Sequence, residues 1–145
     1  MTDEHFMRQA LAQAEIALAS GEVPIGAVVV MDGRIISRGY NQTELLNDCT
    51  AHAEMIALTA AFNQLGAKYL PSATLYVTIE PCVMCCGALY WSKIGRVVFG
   101  GYDDKNGYRR LAATQHAFHP KTQVVAGILE ADCVQLMKDF FKGRR

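Results

Sequence analysis

The stretch TAHAEMIAL, Thr50 to Leu58, sets His52 and Glu54 two residues apart at the start of a helix-forming run. In mid-helix, residues i and i+2 point about 200° apart, so these two side chains cannot share a face there. The pair also differs from the i, i+4 histidines of an H-E-x-x-H zinc helix. The spacing makes sense only at a helix N-terminus, where the first side chains can reach around the end. A second stretch, IEPCVMCCGALYW (Ile79 to Trp91), has the same character. Its Cys82 and Cys85 follow an apolar strand, come directly after Pro81 and open an apolar helix. Two helix N-termini can then meet at one ion, their positive dipole ends helping to keep both cysteines as thiolates.

The surrounding pattern supplies the scaffold. Residues 3–19 carry Phe6, Met7, Ala10, Leu11, Ala14, Ala17 and Leu18 at helical spacing, ended by Ser20-Gly21. PIGAVVVMDGRIISRGYN reads as two strands joined by a tight turn at Asp32-Gly33. A helix is expected over 51–65, with Thr50 as its N-cap and Gly66 as its stop. ATLYVTI is a short buried strand, CVMCCGALYWSK an apolar helix and RVVFGG another strand. A loop-rich passage runs from Tyr102 to Thr122, followed by a strand QVVAGI and a helix from about Glu130 to Phe141. The order α-β-β-α-β-α-β-β-α is that of a layered α/β sheet, with no linker or internal repeat.

At 145 residues the chain is expected to form one domain, and with 51% hydrophobic residues it can bury a sizeable core. No run reaches the roughly 18–20 apolar residues that span a bilayer, and the N-terminus MTDEHFMRQ has no apolar signal region. A cytoplasmic location without membrane attachment is the expectation. Five cysteines, three of them clustered, then point to metal or redox chemistry before a disulfide framework. Net charge is zero but uneven: residues 1–92 hold 4 basic and 9 acidic side chains, residues 93–145 hold 10 basic and 5 acidic. The basic last third is suited to an anionic partner, although a solvated surface reads the same way.

One imidazole and two thiolates give three protein ligands. Three ligands with an open fourth position mark a catalytic zinc site, and four mark a structural one. Zinc lowers the pKa of a water in the open position toward about 7. Glu54 then stands beside that water as an unligated carboxylate able to take and pass on its proton. Two other readings compete. The C-x-x-C alone matches a thioredoxin-like redox pair, and Cys86 as a fourth ligand would make the zinc structural. Cys86, however, sits about 100° around the helix from Cys85, the position of a small buried residue. His5, His116 and His119 read as solvent-facing or supporting residues, and Cys49 and Cys133 as packing residues.

H-x-E followed by P-C-x-x-C is a known signature of zinc-dependent base deaminases. With GEVPIGAVVV, GYNQTELLNDCTAHAEM, ATLYVTIEPCVMCCGAL, IGRVVFGGYDDKNG and LMKDFFKGRR, the chain resembles the cytidine-deaminase-like superfamily over nearly its whole length. Within it, the chain is most similar to the bacterial tRNA-specific adenosine deaminases. The resemblance implies a three-layer α/β/α fold with a central five-stranded mixed sheet between helices. It also implies zinc on His52, Cys82 and Cys85, a proton shuttle at Glu54, a base contact from Asn41 and a nucleotide contact near Asp103. The implied chemistry is hydrolytic: zinc-bound hydroxide attacks C6 of an anticodon wobble adenosine, ammonia leaves and inosine remains. The resemblance further implies a homodimer with the active site near the subunit interface. The apolar helix CGALYW suits such an interface and equally suits a plain core.

The chain departs from the family pattern in several places. Cys49 replaces a usual proline, Cys86 replaces a usual alanine, and YRRLAATQHAFHPKT replaces a small-residue stretch and longer loop. Tyr108, Arg109 and Arg110 in that segment suit stacking on and neutralising a nucleotide backbone, or an ordinary exposed loop. Two further readings stay open: deamination of a free base or nucleoside, and a catalytically silent zinc scaffold that binds RNA. Glu54 argues against the scaffold.

Overall fold

The structure, a computed structural model, describes residues 1–112 and 117–144. Helix α1 (Asp3–Ala19) starts at Thr2, whose hydroxyl accepts from the His5 N–H at 3.2 Å, and Asp3 and Glu4 suit its positive first turn. Strands β1 (Gly26–Met31) and β2 (Arg34–Tyr40) form a hairpin. Its turn residues Asp32 and Gly33 have φ of 53° and 73°, the left-handed pair that a tight hairpin needs. The short α2 (Thr43–Leu46) and then α3 (Ala53–Leu65) follow. Next come β3 (Ala73–Ile79), α4 (Val83–Ser92), β4 (Arg96–Gly101), the short α5 (Tyr108–Ala112), β5 (Gln123–Ala126) and α6 (Glu130–Lys142). Among the described residues, no helix is long and apolar enough to cross a membrane.

The five strands make one mixed sheet in the order β2-β1-β3-β4-β5. β1 pairs antiparallel with β2 and β3, while β3, β4 and β5 run parallel. Helices cover both faces, so the central strands are apolar on both sides. Alternation sorts the side chains: Ala27, Val29, Leu75, Val77, Val97 and Phe99 pack toward α3 and α4. Val28, Val30, Tyr76 and Val98 pack toward Phe6, Met7 and Ala10 of α1 and Cys133 of α6. Burying each of these larger side chains contributes about 1.5–3 kcal/mol. The three-layer α/β/α fold is therefore the one the sequence implied.

Local differences have identifiable causes. Thr50 does not cap α3. Its N–H and hydroxyl both donate to Asp48 Oδ1, at 2.8 and 2.7 Å, so it belongs to the preceding turn and His52 is the N-cap. Two short helices, α2 and α5, interrupt segments that carry no helical periodicity. The last strand stops at Ala126 because Gly127 turns away at φ 89°. His116 and Arg145 lie outside the described residues.

Two contacts fix α3 against the sheet. Ser37 Oγ on β2 donates to Ala57 O at 2.7 Å, and a side chain at Gly39 would collide with Ala53 O and Ala57 N. On the opposite face, Asp3 receives both terminal nitrogens of Arg96 at 2.7 Å and the Tyr76 hydroxyl at 2.7 Å. Arg96 holds the Asp3 carboxyl below its usual range. A depressed folded pKa stabilises above the unfolded value of about 3.9, and that stabilisation is lost as pH falls through the folded value. Asp3→Asn is expected to cost about 1 kcal/mol in urea unfolding at pH 7 and progressively less as pH falls below about 3.9; an equal loss at neutral and acid pH would contradict this role.

Candidate active site

His52 stands at the head of α3 with extended backbone (φ −76°, ψ 155°) and makes no capping hydrogen bond with its side chain. The imidazole instead turns to the sulfurs, its Nδ1 lying 3.6 Å from Cys82 Sγ and 3.5 Å from Cys85 Sγ. Cys82 is the matching residue at the head of α4 (φ −75°, ψ 172°), again without a capping bond from its side chain. Two helix N-caps thus face each other, and the i, i+3 spacing brings Cys85 around to the same point.

These three donors lie within 4.8 Å of one another and form the one cluster of metal-ligand type among the described residues. Tetrahedral zinc, with Zn–N near 2.05 Å and Zn–S near 2.3 Å, separates nitrogen from sulfur by about 3.6 Å. The observed separations fit, and so does the borderline-soft chemistry of the donors. Cys86 is outside the cluster. It is buried in the core shared by α3, α4 and the sheet, where a small apolar residue belongs.

Between protein groups alone, the Cys85 thiol donates to Cys82, pulling Cys82 down to about 4 and driving Cys85 far up. Hydrogen bonding to Cys82 raises His52. A divalent cation inverts this sharing, because coordination ionises both thiols and releases protons. Glu54, the second residue of α3, is 3% exposed. Desolvation is the main cause pushing its carboxyl up to about 7.

His52, Glu54 and Cys82 line a cavity of about 740 Å³, with Val23, Ile25 and Val83 among its apolar walls. Asn41, Asp103 and Arg110 line it as well. Asn41 is buried, with its N–H donating to Ile25 O at 3.1 Å. The Asp103 carboxylate shapes its own turn by accepting from Lys105 N and Asn106 N at 3.1 and 3.0 Å. Arg110 donates to Lys105 O at 2.8 Å. Arg109 is not a lining residue; its guanidinium lies 3.0 Å from the buried Glu80 carboxylate. Tyr108 is half-buried, its ring in T-shaped contacts with Phe118 and Phe99.

Sequence reasoning missed Glu80, Met137 and Phe141, all of which line the cavity. A signal for Glu80 existed: it is a charged residue ending an apolar strand, directly before Pro81-Cys82.

Residues 1–101 match the family model described as the cytidine and deoxycytidylate deaminase zinc-binding region. The chain is 42% identical to a tRNA-specific adenosine deaminase of Agrobacterium fabrum over 97% of its own length and 95% of that protein's. It belongs to the tRNA-specific adenosine deaminase family. A chloroplastic tRNA(adenine(34)) deaminase of Arabidopsis thaliana is 43% identical over 98% of this chain, which spans 12% of that longer protein. A solved structure from work on A-to-I editing by tRNA:A34 deaminases superposes with a TM-score of 0.85. It is 42% identical, covering 91% of this chain and 98% of that one. A guanine deaminase structure from Bacillus subtilis has a TM-score of 0.67 and 40% identity, over 70% of this chain and 66% of that one. The zinc-binding family description agrees with the donor set found here.

Cys82→Ala and Cys85→Ala are expected to lose bound zinc, while Cys86→Ala keeps about one zinc per chain. Metal analysis showing that Cys86→Ala strips the ion would reverse the ligand assignment.

Proposed function

We propose that this chain converts adenosine at the wobble position of a tRNA anticodon to inosine by zinc-dependent hydrolysis. The observation that carries this reading is Glu54, an enclosed carboxyl on the cavity wall beside the metal-type cluster but not part of it. A structural zinc site has no use for such a group. His52, Cys82 and Cys85 would hold the ion, and three ligands suit a catalytic site. Zinc in that position supplies a Lewis acid that makes water nucleophilic near neutral pH. Glu54 takes one proton of the attacking water and delivers it to adenine N1, then carries the second, released from the new C6 hydroxyl, to the departing N6 amine. Water and adenosine thereby give inosine and ammonia. Asn41, buried on the cavity wall, would contact the base, and Asp103, which lines the same cavity, the nucleotide.

The choice of RNA over a free base rests on charge and kinship. Lys105 and Arg110 line the same cavity, and the excess of basic residues after residue 92 suits phosphates. Relatives of matching length carry tRNA-specific names. The likeness to a guanine deaminase keeps a free base as the alternative. We also read the protein as a cytoplasmic homodimer. Five unpaired cysteines suit a reducing compartment. Val83, Tyr90 and Trp91 of α4 are exposed, Trp91 by 72%, which supports a subunit contact there. Sedimentation equilibrium should then give about twice the chain mass of 15.9 kDa; a monomer at micromolar concentration would refute the dimer.

Glu54→Gln is expected to keep zinc and fold while lowering kcat on an anticodon stem-loop by about 10²–10⁴-fold. Ammonia release should be seen with an adenosine-containing stem-loop and not with free adenosine, cytosine or guanine. Turnover of Glu54→Gln within a few-fold of wild type would sink the shuttle, and preference for a free base would sink the RNA reading.

A further inference from the structure

The side chain of Glu80 is fully buried one residue beyond the end of β3, and its carboxylate is used completely by one segment of chain. Oε1 accepts from Asp103 N at 3.0 Å and from Arg109 Nε at 3.1 Å, and Arg109 Nη2 lies 3.0 Å away. Oε2 accepts from Arg109 N at 3.0 Å. The adjacent Pro81 carbonyl accepts from Tyr108 N at 2.9 Å. Arg109 is held from other sides as well, by Asp104 Oδ1 at 3.1 Å and by the Tyr102 ring, 4.2 Å from its Cζ. Gly107 lies so close that a Cβ there would collide with the Glu80 carboxyl.

Everything this carboxylate holds belongs to the segment that brings Asp103, Lys105, Asn106, Arg110 and Leu111 to the cavity. A buried carboxylate is tolerable only when paired and hydrogen-bonded, so Glu80 and Arg109 depend on each other. We propose that the Glu80–Arg109 pair is a clamp that sets the position of the 103–111 cavity wall. This makes both positioning residues for the substrate, and Arg109 no phosphate ligand. The substrate part of this inference rests on the proposed RNA deamination. Arg110, which has no acidic partner among the described contacts and lines the cavity, is left as the cation of this pair able to meet a phosphate.

Two measurements test the clamp on Glu80→Gln, Arg109→Gln and the double variant, each loaded with zinc. Amide hydrogen exchange at Asp103 and Arg109 should speed up roughly tenfold or more in either single variant, the scale of one lost charge-assisted hydrogen bond. Stem-loop kinetics should show KM raised by roughly tenfold with kcat and zinc content nearly unchanged. The double variant should be no worse than the worse single one, since both remove one device. The salt dependence of stem-loop binding should keep its slope in Arg109→Gln, whereas a phosphate ligand would lower it by about 0.7. Unchanged exchange at the two amides overturns the clamp. A lowered slope in Arg109→Gln, together with undiminished RNA binding by Glu80→Gln, overturns it in favour of a phosphate contact. Should Glu80→Gln not fold, Arg109→Gln, whose side chain is 42% exposed, decides through the same two readouts. Failure of the wild type to act on any stem-loop would refute the RNA reading, and the exchange rates would then decide the clamp alone.

Discussion

The constraint on which the rest of the structure depends is the meeting of two helix starts. His52 and Cys82 occupy N-cap positions, where Ser, Thr, Asp or Asn would ordinarily bond the free N–H groups of the first turn. Both turn their side chains to each other, and neither makes a cap bond. The fold gives up local helix stability at two termini to assemble a donor set from parts of the chain thirty residues apart. An ion held by His52, Cys82 and Cys85 would contribute the compensating free energy and so couple metal binding to folding.

The sheet explains why the two helix starts can meet. β3 and β4 are parallel neighbours, and α4 is the crossover between them. Chain leaving their carboxyl ends therefore arrives at the same edge, the usual place for a site in an α/β sheet. From β3 come Glu80 and Cys82, and from β4 comes the Asp103 turn. From the antiparallel side, Gly39 and Ser37 press the first turns of α3 onto β2 and so deliver His52 and Glu54. Glu22, fully buried, accepts the Glu44 and Leu45 N–H groups at 3.1 and 2.7 Å and fixes the short helix beside the Thr43 wall of the cavity.

What could be read from the sequence followed the range of the physics involved. The donor set was legible because residue types and spacings at helix starts are local. The alternation of the strands was legible because burial on both faces leaves apolar runs such as AVVV. Thr50 misled because cap preference is statistical, and its N–H and hydroxyl are both taken by Asp48 in the preceding turn. The helix α2 is too short to show a period. The Tyr108-Arg109-Arg110 run suited a nucleotide-backbone surface and an ordinary exposed loop equally, because an aromatic beside two cations fits both. Its partners within the fold, Glu80 just after β3 and Phe99 on β4, come from other parts of the chain and leave no mark in that segment. Long-range pairing of this kind decides which of two adjacent arginines faces the cavity, and composition cannot distinguish them.

X-ray absorption at the zinc K-edge of the purified protein tests the central claim most directly. Two helix N-caps and the i, i+3 cysteine should give two sulfurs at about 2.3 Å and about two nitrogen or oxygen neighbours at about 2.0–2.1 Å. Three sulfurs in the shell would contradict the account, because they would bring Cys86 or Cys49 to the ion and leave no place for the catalytic water.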